Sequence, residues 1–298
     1  MRRLAFIVLA LLAAPAAAFE TRTIRIIHDG IERRAIMDAR ADVRNAPVLL
    51  VLHGGIAGPE TVRRRARVGL AREGWIVLWP YAVDDWNDGR LDRSGRPYDD
   101  EDDVGFMRSL VAELARRGAA DPDRVFVAGP SLGGTMTLKL LCDAPDFVKG
   151  AAVAIASLPE GKDCPPGPPR PVLYIHGTDD DIMPPDGGRI GGPSPFVRDR
   201  GRVASVEATL ERLARRNGCA TFVENQVPDR SPNDGSTVRV RDYVGCDAPI
   251  RHFIIDGGGH TWPGSGGSAL GRAFIGATNQ DISATREVEA FFKRIAAR

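Results

Sequence analysis

Short continuous apolar runs alternate with amphipathic ones along most of this chain, and that alternation limits the folds open to it. Pro47 to Leu52, Trp75 to Trp79, Arg124 to Ala128, Gly150 to Ile155 and Val172 to Ile175 are each bounded by turn residues. Runs of this kind suit strands buried on both faces. Between and after them the spacing predicts helices over Glu60 to Arg72, Asp102 to Gly118, Leu132 to Cys142, Val203 to Arg216 and Ser283 to Ala297. Ile24 to Ile27 and Arg33 to Met37 read as early strands around an Asp29-Gly30 turn, and Thr237 to Val244 and His252 to Ile255 as late ones. Tyr81 to Asp100 and the proline-rich Pro165 to Pro171 read as loops. Strands alternating with helices imply an α/β fold, with a mostly parallel central sheet covered by helices on both faces. No repeat or low-complexity linker divides the chain, so one domain is expected. In such sheets function gathers at the carboxyl ends of the strands.

The first residues read differently. Arg2 and Arg3 precede the apolar run Leu4 to Ala14, and Ala16-Ala17-Ala18 offers a small-residue cleavage site. That is the three-part pattern of a secretory signal peptide, and the run is too short to span a bilayer. Residues 1–18 are therefore expected to be removed, leaving a single domain of residues 19–298 in the periplasm or outside the cell, without a stable membrane anchor. The net charge of +1 points to neither nucleic acid nor an anionic membrane as partner. In an oxidising compartment the four cysteines are expected to pair. The sequence-local pairing, Cys142 with Cys164 and Cys219 with Cys246, closes two short excursions between regular elements.

Gly129-Pro130-Ser131-Leu132-Gly133 lies between a strand and a helix, the context in which a G-x-S-x-G motif has mechanical meaning. The turn pushes the Ser131 hydroxyl out at the top of the sheet, and the amino end of the next helix favours negative charge beneath it. In any other role the serine would be a helix N-cap.

A serine hydroxyl needs a base to take its proton. In strand–turn–helix sites of this kind the order along the chain is serine, acid, histidine. His176, His252 and His260 follow Ser131. His252 opens an apolar strand and reads as structural. His260 stands in a glycine-rich loop after the last strand, where a base has to sit. The acid is expected directly after the strand ending at His176, where Asp179, Asp180 and Asp181 stand; spacing does not choose among them. An oxyanion needs two N–H donors. One is expected from Leu132 and the other from Gly55 at the end of His53-Gly54-Gly55, with Ile56 next in line.

Together these residues resemble the secreted esterase family of polyhydroxybutyrate depolymerases, feruloyl esterases and acetylxylan esterases, within the α/β-hydrolase superfamily. The resemblance runs from about Pro47 to Phe292. It is carried by Leu52-His53-Gly54-Gly55, Trp86-Asn87-Asp88-Gly89-Arg90, Asp102-Asp103-Val104-Gly105-Phe106, the Ser131 motif, His176-Gly177-Thr178-Asp179-Asp180-Asp181 and Gly258-Gly259-His260-Thr261-Trp262-Pro263-Gly264. The family pattern His-Gly-Thr-x-Asp implies Asp180 as the acid and supports the two local cysteine pairs. Pro130 and Pro185 depart from the family, which usually has other residue types there. Proline lacks a backbone N–H, so Pro130 is tolerated where that donor is unpaired.

The resemblance implies a carboxylic ester hydrolase working through Ser131, His260 and Asp180, with no cofactor and no metal. Trp86 and Trp262 are expected to flank the site as a wall for an acyl or aromatic group. The partner is an ester, small or polymeric; the lack of a Ser/Thr-rich linker favours small or soluble ones. A serine peptidase, an acyltransferase of the same fold and a catalytically silent binding module are the alternatives. Asp99 to Asp103 reads as a charged helix start rather than a calcium site.

Overall fold

A computed structural model of the chain describes residues 18–55, 58–191, 199–266 and 273–297. The expected signal peptide, apart from Ala18, and Ile56 lie outside the described residues.

The core is a ten-stranded sheet in the order β1-β2-β4-β3-β5-β6-β7-β12-β11-β10. These strands are β1 (Phe19–His28), β2 (Ile31–Arg40), β3 (Ala46–Val51), β4 (Ile76–Pro80), β5 (Ala120–Pro130), β6 (Gly150–Ala154), β7 (Val172–Gly177), β10 (Thr221–Val227), β11 (Thr237–Val244) and β12 (Ile250–Asp256); β8 (Gly188–Arg189) and β9 (Arg202–Val203) form a separate two-stranded pair. The six strands from β4 to β12 run parallel, while β1 and β2 on one side and β11 and β10 on the other are antiparallel.

Each parallel strand is buried on both faces, and its side chains alternate between two apolar layers. Val48 and Leu50 of β3 and Val125 and Val127 of β5 face one layer, with α2 (Asp103–Arg116), α3 (Leu132–Asp143) and α4 (Val206–Arg216). Leu49, Val51, Phe126 and Ala128 face the other, with α1 (Pro59–Ala66) and α5 (Ala284–Ala296). This period-two division is what a doubly covered sheet requires. The α/β-hydrolase architecture is the one expected from the sequence.

Two local expectations need correcting. The helix expected over Glu60 to Arg72 is broken. α1 ends at Ala66, because Arg67 turns into the left-handed region (φ 47°) and returns its N–H to Arg63; Leu70–Glu73 follows as a separate 3₁₀ turn. Strand β10 was not expected. Its side chains are exposed along nearly its whole length, so it has no apolar face to mark it in the sequence.

The acidic run at α2 is a helix start, as read. Asp102 caps α2 by accepting from Gly105 N–H, and Asp103 is buried, accepting from Arg33 at 2.5 Å and from Asn87 N–H at 2.8 Å. Both cysteine pairs form as expected, Cys142–Cys164 and Cys219–Cys246. Among the described residues no helix is long and apolar enough to cross a membrane.

Candidate active site

Strand β5 delivers the chain to a turn that only small neighbours permit. A Cβ on Gly129 would strike the Gly133 backbone, and one on Gly133 would strike the Leu52 and His53 carbonyls. Ser131 itself takes φ 55°, a conformation uncommon for a residue with a side chain. It does not cap α3 with its side chain. Its carbonyl instead accepts from Gly134 and Thr135, which leaves Oγ pointing out of the turn. Pro130 fits this elbow. Ser131 N–H bonds to Ala154 of β6, so the preceding nitrogen faces the β3 side, and β3 pairs with β5 only as far as Val51 opposite Ala128. Leu52 N–H donates to the Ala128 carbonyl at 2.8 Å, so the next donor on that side would stand at residue 130, and its proline ends the ladder there.

His260 lies between Ser131 and Asp180. Its Nδ1 is 2.8 Å from Asp180 Oδ2 and its Nε2 is 3.0 Å from Ser131 Oγ. An ionised carboxylate only accepts, so Nδ1 carries the proton and Nε2 is left to accept from the hydroxyl. Asp180 is buried, and its other oxygen accepts from Ile182 N–H at 3.0 Å and Met183 N–H at 2.8 Å. Asp179 instead accepts from the Thr178 hydroxyl. Of the three aspartates that spacing left open, the fold brings Asp180 to the imidazole.

The loops bearing Asp180 and His260 are fastened to each other, mostly through the main chain. Asp179 N–H donates to the Gly258 carbonyl at 2.9 Å, Thr178 N–H to Ile255 at 3.0 Å, and Gly257 N–H to Thr178 Oγ1 at 2.8 Å. Gly259 is likewise pressed on Ile275 and Gly276, and its N–H reaches Ala277 at 3.0 Å. Behind this junction His176 Nδ1 lies 2.8 Å from His252 Nε2 in a stacked, buried pair. Burial pushes His176 down to about 4 and His252 well below the usual imidazole range, so both stay neutral.

The other side of the site is the loop after β3. A Cβ on Gly54 would stand 3.2 Å from Ser131 Cβ, so this loop runs against the serine. His53 holds it. Its Nε2 accepts from Ala82 N–H at 3.2 Å, which puts the proton on Nδ1, and Nδ1 donates to the Gly54 carbonyl at 2.9 Å. Burial holds the His53 pKa below the ordinary value and keeps the ring neutral. The peptide is trans and planar, so fixing the Gly54 carbonyl aims Gly55 N–H the opposite way. Leu132 N–H is the first of α3 and has no acceptor within the helix.

Over 247 residues the chain is 31% identical to "Putative esterase NocK" of Nocardia uniformis subsp. tsuyamanensis, a match taking in 80% of this chain and 71% of that one. The chain belongs to that esterase family. The esterase is also 27% identical over 186 residues to "Feruloyl esterase B" of Piromyces equi, which covers 59% of the chain but 31% of the relative's length. Its fold is shared with the acetyl xylan esterase of Aspergillus awamori, at 14% identity, a TM-score of 0.55, and coverage of 80% of this chain and 94% of that one. No family model matches the sequence. The protein is thus an ester hydrolase of α/β-hydrolase fold.

Within the esterase the two tryptophans differ from the expectation and from each other. Trp86 is fully buried, its Nε1 donates to the His53 carbonyl at 2.8 Å, and its ring packs on the His53 ring at 4.8 Å between centroids. It supports the Gly54–Gly55 loop from behind and presents no wall to a substrate, which corrects the reading of Trp86 as a substrate contact. Trp262, two residues after His260, is partly exposed and donates to Thr285 Oγ1 at 3.0 Å. The clamp made by His53 was not foreseen, although a histidine directly before a glycine pair at a strand end was its signal.

Proposed function

We propose that the esterase cleaves carboxylic esters through Ser131 as nucleophile, His260 as general base and acid, and Asp180 as the group that holds His260. One observation carries this reading: a single imidazole bridges Ser131 Oγ at 3.0 Å and a buried carboxylate at 2.8 Å. Ser131 Oγ attacks the ester carbonyl while His260 Nε2 takes its proton. The oxyanion is held by Leu132 and Gly55 N–H, each such donor contributing about 10²–10³ in rate. Collapse expels the alcohol, protonated by His260. Water, activated by the same imidazole, then attacks the acyl-enzyme, and Ser131 leaves with its proton restored.

For substrate we propose feruloyl, acetyl-xylan or polyhydroxybutyrate esters, on the resemblance stated above and on the likeness to the feruloyl esterase and the acetyl xylan esterase. Trp262 is the proposed aromatic contact. We also propose residues 1–18 as a signal peptide and export of the rest. Two disulfides support that reading, since they persist in oxidising compartments.

The test is a hydrolysis panel of p-nitrophenyl esters, methyl ferulate, acetylated xylan and polyhydroxybutyrate, with Ser131→Ala beside it. The variant is expected to lose about 10⁶ in kcat, and a fluorophosphonate to label Ser131 in the wild type. Full activity in Ser131→Ala, or a wild type that takes no label, sinks the mechanism.

A further inference from the structure

A cation is built onto the oxyanion loop that the reaction above does not use. A Cβ on Gly55 would come within 2.5 Å of both Arg200 Nη1 and Leu132 Cδ1. The guanidinium and the Leu132 side chain therefore both lie over Gly55, one of the two proposed donor residues. The Arg200 main chain is held from below. Arg90, fully buried, donates from Nη1 to the Arg200 carbonyl at 2.7 Å, and both oxygens of buried Asp88 accept from Arg90 Nε.

The head group itself is only partly answered. Asp85 Oδ2 lies 3.6 Å from Arg200 Nη1, outside hydrogen-bonding reach. Asp85 is also shared: its Oδ1 accepts from Trp86 N–H at 2.9 Å and faces Arg90 Nη2 at 3.2 Å. Among the described residues no acceptor lies within hydrogen-bonding distance of the Arg200 guanidinium, whose side chain is 24% exposed. A guanidinium offers five donors in a planar fork matched to a carboxylate.

We propose that Arg200 selects esters that carry a carboxylate close to the scissile bond, pairing with it in a charge-assisted fork. This rests on the ester-hydrolase reading of Ser131. The carboxylate belongs to either the acyl or the alcohol half of the ester, and the test separates the two. One arm compares 4-nitrophenyl hydrogen glutarate with its methyl glutarate counterpart. The other compares 4-carboxyphenyl acetate with 4-(methoxycarbonyl)phenyl acetate. Each kcat/KM is divided by the rate with hydroxide, which removes leaving-group differences.

In one arm the wild type is expected to favour the carboxylated ester by roughly tenfold, the scale of a partly exposed charged hydrogen bond. Arg200→Gln is expected to remove most of that ratio, and 1 M salt to compress it. Arg93→Gln, which changes an exposed arginine paired with Asp199, is expected to keep the ratio within about twofold. A wild-type ratio near one in both arms overturns the proposal while leaving the esterase reading intact. So does a ratio that survives Arg200→Gln, or one that Arg93→Gln lowers equally. If Arg200→Gln fails to fold, Arg200→Lys replaces it and should give an intermediate ratio, because an ammonium keeps the charge without the fork; an unchanged ratio counts against the role. Failure to cleave any of the four esters overturns both readings.

Discussion

Gly177 stands so close to Gly258 that a Cβ on it would lie inside the van der Waals shell of the Gly258 carbonyl. The same carbonyl accepts from Asp179 N–H, so the approach sets the spacing between the loop bearing Asp180 and the loop bearing His260.

Gly177→Ala should therefore spread the two loops. A displacement of about 1 Å at a reacting group costs on the order of 10² in rate. The expected outcome is a kcat lower by about that factor on a neutral ester, with KM nearly unchanged and the fold intact by circular dichroism. A wild-type kcat would show that the loops are held together by something else.

Asp180→Asn keeps the shape of the acid and removes its charge. The amide can then donate where the carboxylate accepted, which favours the wrong His260 tautomer. A fall of about 10⁴ in kcat is expected. Asp181→Asn, an exposed neighbour, should stay within about twofold on the same ester, as surface changes away from a site usually do. Equal effects from the two variants would reverse the assignment of the acid.

Stability should fall on acidification through neutral histidines. His176 is held down to about 4 and His252 well below its usual range by burial, whereas both protonate near the ordinary imidazole value once unfolded. Below that value the unfolded chain binds more protons than the native one. Each histidine then removes up to about 1.4 kcal/mol of stability per pH unit, a loss that for His176 continues down to about 4. Urea denaturation at pH 7.5 and pH 5 measures this. A His176→Asn/His252→Asn double variant should show the shallower slope, and an unaltered slope would place the titration elsewhere.

Removing Cys219–Cys246, which joins residues 27 apart in sequence, as a double alanine variant should lower stability by roughly 3 kcal/mol through the freer unfolded chain. Denaturant midpoints of the oxidised wild type and the variant check this. Activity at low temperature should persist, because the bridge lies away from Ser131, tying the end of α4 to the end of β11. An inactive but folded variant would contradict that separation.

What could be read from the sequence follows from how narrowly each position is constrained. The Ser131 elbow and the His260 loop were legible because glycines crowd positions where backbones must nearly touch. The parallel strands were legible because burial on both faces leaves an unbroken apolar run. β10 had no such mark, since solvent covers most of its side chains. The burial of Trp86 is not legible, because a tryptophan in a polar loop gives no sign of being folded under its neighbour. Nothing in the sequence marks Arg200. It is one arginine among many, and its meaning depends on contacts with Gly55, Asp85 and Arg90, which meet only in three dimensions.

The loops carrying Asp180 and His260 are locked largely by peptide groups, with the Thr178 hydroxyl beside them, and peptide groups survive substitution. Residues beside the site can therefore change without disturbing the alignment of Ser131, His260 and Asp180. A mutant library confined to Arg200, Trp262 and their neighbours would search among substrates while the reacting groups keep their register.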